Sequence, residues 1–134
     1  MWQARAKLVQ EGGLASIRDM VLTRYFSEGF RSTRADVIAA TSERLLATPV
    51  EGYLGCCDAI AELDFTRDLP RVGAPTLVIA GADDVGTPPA MSQAIAAGIP
   101  GARLAIIPGA AHLSAVERPA EFATLVEEFL KTGV

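Results

Sequence analysis

The chain has 134 residues, half of them hydrophobic and 21% charged, with a formal net charge of −4, a balance that fits one soluble globular domain. Sixteen acidic residues outnumber twelve dispersed basic ones, which argues against nucleic acid as a partner. No apolar stretch approaches the ~20 residues needed to span a bilayer, and the opening MWQARAKLVQE is too polar for a secretory signal, so no membrane partner and a cytoplasmic location are expected.

The first part of the chain reads as helical. Trp2, Ala6 and Val9 recur at helical spacing, Gly12 and Gly13 interrupt the run, and Leu14, Ile17 and Val21 begin a second stripe. Thr33 followed by Asp36 resembles a capping arrangement ahead of the stripe Val37, Ile38, Leu45 and Leu46. Thr48, Pro49 and Glu51 give a fuller start signal, with a hydroxyl at the N-cap, proline at N1 and a carboxylate at N3. The helix they open carries Tyr53, Leu54, Cys57 and Ile60, and DFTRDLPRVGAP ends it. Cys56 and Cys57 are adjacent, a spacing that suits reduced, partly buried thiols better than a disulfide. One histidine and two cysteines also fall short of a four-ligand zinc site, so no metal is expected.

Near residue 70 the pattern changes. PTLVIAG is a short continuous apolar run bounded by Pro75 and Gly81, the signature of a strand buried on both faces of a parallel sheet. Thr87, Pro88 and Pro89 start a helix that runs to about Ala97, Gly98 closes it, and RLAIIPG supplies a second strand. Pro119 opens a final amphipathic helix with Phe122, Leu125, Val126, Phe129 and Leu130 on one face. The order strand, helix, strand, helix predicts right-handed parallel crossovers. Two parallel strands are marginal alone, so this half is expected to be the end of a larger sheet whose other strands lie outside the chain.

The chemistry concentrates in two turns. In VIAGADD, Asp83 and Asp84 follow a buried strand, which places them at the carboxyl end of the sheet, where open α/β sheets bind ligands. LAIIPGAAH delivers His112, the sole histidine, to the same edge. An aspartate after a strand is often a turn former, and a lone histidine often satisfies a local hydrogen bond. Acid followed by histidine in chain order, each just past a strand, instead suggests a base and its orienting carboxylate. Asp84 is preferred over Asp83 because it sits deeper in the turn.

The stretch from Ala74 to Leu130 resembles the C-terminal part of an α/β-hydrolase, in which G-x-x-D and a later G-x-x-H carry the acid and base of a Ser-Asp-His triad. Matched residue by residue, Gly81 to Asp84 makes Asp84 the acid, and Gly109 to His112 makes His112 the base. WQARAKLVQEGGLASIRDMVLTRYFSEGF and TPVEGYLGCCDAIAELDF are similar to the helical cap of 3-oxoadipate enol-lactonases, with EGYLGCCDAI the more specific part. The resemblance implies a partial α/β-hydrolase fold, with residues 1–70 as helical cap and 71–134 as the last two strand–helix units of the parallel sheet. It implies hydrolysis of a small anionic lactone in the β-ketoadipate branch of aromatic catabolism, without metal or organic cofactor. The cap would cover the pocket, with Trp2 as a wall residue.

One part of the pattern is absent. The nucleophile of these enzymes sits on a G-x-S-x-G elbow, and no such pentapeptide occurs here. Ser114 stands too close to His112 in the chain to pair with it productively, and Cys56 and Cys57 lack the strained elbow. The oxyanion donors that an elbow supplies are missing with it. The expectation is a C-terminal segment of an ester hydrolase, inactive alone, with the serine half encoded separately, cleaved away or lost; Met1 stands where the cap would begin. An esterase, carbon–carbon hydrolase or haloperoxidase-like enzyme is the alternative within the fold, and a non-catalytic interaction domain is the alternative outside it.

Overall fold

The computed structural model describes residues 2–132. In chain order it holds α1 (Trp2–Gly12), a 3-10 turn (Leu14–Ile17), α2 (Arg18–Tyr25), α3 (Glu28–Thr33), α4 (Ala35–Leu46) and α5 (Val50–Ala61). A second 3-10 turn (Thr66–Arg71) leads to β1 (Leu77–Gly81), α6 (Pro89–Gly98), β2 (Arg103–Ile107), α7 (Ser114–Glu117) and α8 (Pro119–Thr132).

These elements form two compact units, one from residues up to 23 together with 31–64, the other from 24–30 together with residues from 65 onward. Residues 24–30 lie in the helical stretch of the sequence and group with the strands.

In the first unit α1 packs along α5. The two expected stripes point inward, with Val9, Leu14, Ile17 and Val21 buried, joined by Leu22 and Cys57. Arg5 lies against two aromatic faces of the same unit, its guanidinium carbon 5.1 Å from the Trp2 ring centroid and 5.5 Å from that of Tyr53.

Two helix starts differ from the expected ones. Pro49, not Thr48, is the N-cap of α5, because its carbonyl accepts the first helical bond, from the Tyr53 amide at 3.0 Å. The Thr48 hydroxyl turns back instead and donates to the Arg44 carbonyl at 3.0 Å. Thr33 closes α3, and Arg34 takes the N-cap position of α4 without its side chain capping the helix's first amides. Asp36 is held by the Arg34 guanidinium through two bonds of 2.9 and 3.0 Å, and that pairing holds its carboxyl down at about 2.

The second unit is built on a parallel pair, β1 beside β2, in register from Leu77 opposite Arg103 to Gly81 opposite Ile107. The crossover is α6, which packs on both strands, while α8 lies against β2. Apolar runs alone define these strands, as expected of a parallel sheet, yet burial is complete only toward their carboxyl ends, at Ala80, Gly81 and Ile107. Among the described residues the sheet has no third strand. An apolar groove of about 580 Å³ lies along β1, with Leu77, Ile79, Phe122, Val126, Phe129 and Leu130 in its lining. No helix among the described residues is long and apolar enough to cross a membrane.

Candidate active site

Because the strands are parallel and in register, both discharge their following turns at one edge of the sheet. The Ala82 amide donates to the Ile107 carbonyl and the Asp83 amide to the Ala110 carbonyl, each at 2.9 Å, so the two turns are laced together. The glycines of the two motifs have separate physical reasons. A Cβ at Gly81 would stand 2.2 Å from the carbonyl oxygens of both Ala110 and Ala111, so only glycine lets the histidine loop settle on the end of β1. Gly109 has φ of 63°, a left-handed conformation that reverses the chain just before His112.

Asp84 is buried while Asp83 is exposed. Oδ1 of Asp84 accepts from the Gly86 amide at 2.8 Å and the Thr87 amide at 2.9 Å. Oδ2 accepts from the Thr87 hydroxyl at 2.7 Å and lies 2.8 Å from Nδ1 of His112. Burial pushes the Asp84 carboxyl up, but the bonds from the Thr87 amide and hydroxyl, the His112 ring and the Gly86 amide outweigh it and hold the group below its ordinary value. An ionised carboxylate only accepts, so the ring carries its hydrogen on Nδ1 and leaves Nε2 as the basic nitrogen.

The imidazole is partly open, with 41% of its side-chain surface exposed against 5% for Asp84. Tyr25 stacks on it, the ring centroids 5.7 Å apart at an interplanar angle of 20°. The backbone carbonyl of Tyr25 also accepts from the Leu113 amide at 3.0 Å. Among the described residues the polar contacts of the ring are with Asp84 and with the Thr87 hydroxyl, at 3.2 Å. These contacts fix the orientation and tautomer of the imidazole and leave Nε2 clear of polar partners among the described residues.

Trp2 belongs to the first unit and packs on Arg5. Cys56 and Cys57 are free thiols on α5, one exposed and one buried. Burial pushes the Cys57 thiol up, against the opposing field of Arg5, the wrong direction for a thiolate nucleophile. Ser114 is buried as the first residue of α7. Among the described residues no group of three His, Cys, Asp or Glu side chains stands together as a metal site. Three further residues surround the pair: Thr87, which the sequence marks only as part of a helix start, Tyr25 and Glu117. Thr87 carries a local signal, a hydroxyl three residues past the acid before a proline-started helix; Tyr25 and Glu117 act through long-range contacts with no such mark.

Residues 2–125 match the model of the alpha/beta hydrolase family. The chain is 40% identical over 130 residues to 3-oxoadipate enol-lactonase 2 of Acinetobacter baylyi, covering 97% of this chain and 48% of that protein. It superposes on the crystal structure of the enol-lactonase from Burkholderia xenovorans LB400 with a TM-score of 0.94 at 32% identity, covering 98% of this chain and 50% of that one. A thermophilic esterase from Thermogutta terrifontis gives a TM-score of 0.87 at 30% identity, covering 96% and 47%. The chain thus spans about half the length of the relatives it matches. With its helices, its two-stranded parallel sheet and an Asp and His meeting at the sheet's carboxyl edge, the chain belongs to the alpha/beta hydrolase family, as a partial form of that fold.

Proposed function

We propose that this chain is the acid–base half of a carboxylic-ester hydrolase of the 3-oxoadipate enol-lactonase type. His112 acts as general base, Asp84 as the carboxylate that orients it, and a serine from outside these residues as nucleophile. The observation that carries the reading is the 2.8 Å contact between Asp84 Oδ2 and His112 Nδ1, made at the sheet edge where open α/β folds place their chemistry.

In the complete site the serine oxygen attacks the lactone carbonyl carbon and its proton passes to Nε2 of His112. Asp84 stabilises the imidazolium so formed. The tetrahedral intermediate collapses by breaking the ring C–O bond, and the departing enol oxygen takes the proton back from Nε2. Water then attacks the acyl-serine, with His112 again accepting the proton, and the acid is released. No cofactor enters these steps, and the substrate is a small lactone or ester.

The chain alone is expected to be inactive, because nucleophile and oxyanion donors are needed together with the base. The test is a chimaera in which residues 2–132 replace the corresponding half of the Acinetobacter enol-lactonase 2. The chimaera should open the enol-lactone, and His112→Ala should lower turnover by on the order of 10⁶-fold, as triad removal does in a serine protease. A folded chimaera that cleaves aryl esters and leaves the enol-lactone intact would favour the second reading, a simple esterase, which the likeness to the Thermogutta enzyme supports. A folded chimaera whose turnover survives His112→Ala ends both.

A further inference from the structure

The Asp84–His112 contact depends on where the loop between β2 and α7 rests, and the side chain nearest to controlling that is Glu117. It is a buried carboxylate outside the acid–base chemistry. Its Oε1 accepts from the Ala111 amide, the residue before the histidine, at 2.7 Å. Its Oε2 accepts from the Ser27 amide at 3.1 Å and from the Ser27 hydroxyl at 2.5 Å. The Ser27 oxygen in turn accepts from the Phe30 amide at 3.3 Å, so its own proton is left for Glu117.

The same short segment reaches the other side of the histidine. Tyr25, two residues before Ser27, stacks on the imidazole and takes the Leu113 amide on its carbonyl. Ala111 and Leu113, the two neighbours of His112, are therefore fastened by Glu117 and by the segment that Glu117 holds. A buried carboxylate with fewer donors would be costly to keep, whereas here three donors converge on it, one from the histidine loop six residues away and two from Ser27, ninety residues away.

The geometry points to Glu117 as a positioning residue that clamps the histidine loop to residues 24–30 and so sets the imidazole on Asp84 and under Tyr25. The inference rests on the reading of Asp84 and His112 as the catalytic pair. Glutamine at 117 would keep the volume but turn an amide NH₂ toward one of the three donors, leaving one bond replaced by a donor–donor conflict.

Because His112 is the sole histidine, ring signals in the ¹⁵N-labelled chain have one assignment. In the native chain the Nδ1–H proton should be visible and the neutral ring in the Nδ1–H tautomer. In Glu117→Gln the Nδ1–H signal should disappear through exchange. The Ala111 amide should exchange roughly tenfold faster or more, the loss expected for a hydrogen bond to a charged group, while amides of β1 and β2 keep native rates. Ser27→Ala, which removes one donor without a conflict, should show the same changes in smaller degree and serves if the glutamine variant does not fold. Native Nδ1–H and Ala111 signals in a folded Glu117→Gln or in Ser27→Ala would overturn the assignment, as would equal loosening of every amide. A native chain whose neutral ring carries its proton on Nε2 would instead sink the Asp84–His112 pairing itself, and the inference with it.

Discussion

Asp84 is pulled two ways, by burial toward the neutral acid and by four hydrogen-bond donors toward the anion, and the donors win. Its folded value lies below the ordinary one, so the unfolded chain binds the proton more readily and the carboxylate contributes stability that is complete above the ordinary aspartate value of about 3.9. That contribution is lost as pH falls through the depressed folded value. Asp84→Asn should therefore be less stable than the native chain at neutral pH, by about 1–3 kcal/mol for conflicts at buried acceptors. Its urea midpoint should also fall less steeply as pH drops below about 4. Parallel midpoint curves for the two proteins over that range would refute the assignment of the acid slope to this residue. Asp84 and His112 could be read from the sequence because each follows an apolar run and a glycine, a local arrangement that fixes place as well as type. Glu117 could not, since its partner Ser27 lies ninety positions away and an acidic residue five places past a histidine carries no local mark.

At the scale of elements, β1 is the part on which the site turns, because its last residue determines how near the histidine loop can come. Adding a methyl at Gly81 would drive a carbon to 2.2 Å from two carbonyl oxygens, and both belong to backbone, which yields less readily than the end of a side chain. Gly81→Ala should cost roughly 1–3 kcal/mol, the usual range for overpacking, and should break the Asp83 to Ala110 bond that laces the turns. Urea denaturation and loss of the His112 Nδ1–H resonance check this; an alanine variant of native stability with that resonance intact would contradict it. The strands and α6 were legible because continuous apolar runs and a proline-started helix leave few alternatives. The starts of α4 and α5 were legible only to within a residue or two. A Thr-Pro pair marks a boundary, but which carbonyl takes the first helical bond depends on how the preceding turn folds, and here the Thr48 hydroxyl is spent on Arg44. α7, a four-residue helix, is too short to show a period at all.

For the molecule as a whole, the sheet of the second unit has an unpaired edge among the described residues, and its last helix is not fully covered by them. Val78 and Ile79 are only half-buried in β1, although a parallel strand of this composition is normally covered on both faces. α8 has the amphipathic stripe expected of it, yet no residue of that helix is buried, and Leu130 is 71% exposed. Two-stranded sheets are marginal, and an open apolar edge is a template for pairing. The chain by itself should therefore associate at micromolar concentration and bind a hydrophobic dye strongly. Val126→Lys with Leu130→Lys should suppress both, since lysine keeps the helix propensity while placing charge in the groove along β1. In the enol-lactonase chimaera the native groove should meet the strands of the other half, so dye binding should vanish without any lysine. Sedimentation velocity over a hundredfold range of concentration, with dye fluorescence on the same samples, decides the matter. A native chain that stays monomeric and dark would mean that the exposed face of α8 is stable in water as it stands, and that no further strands are needed to complete this sheet.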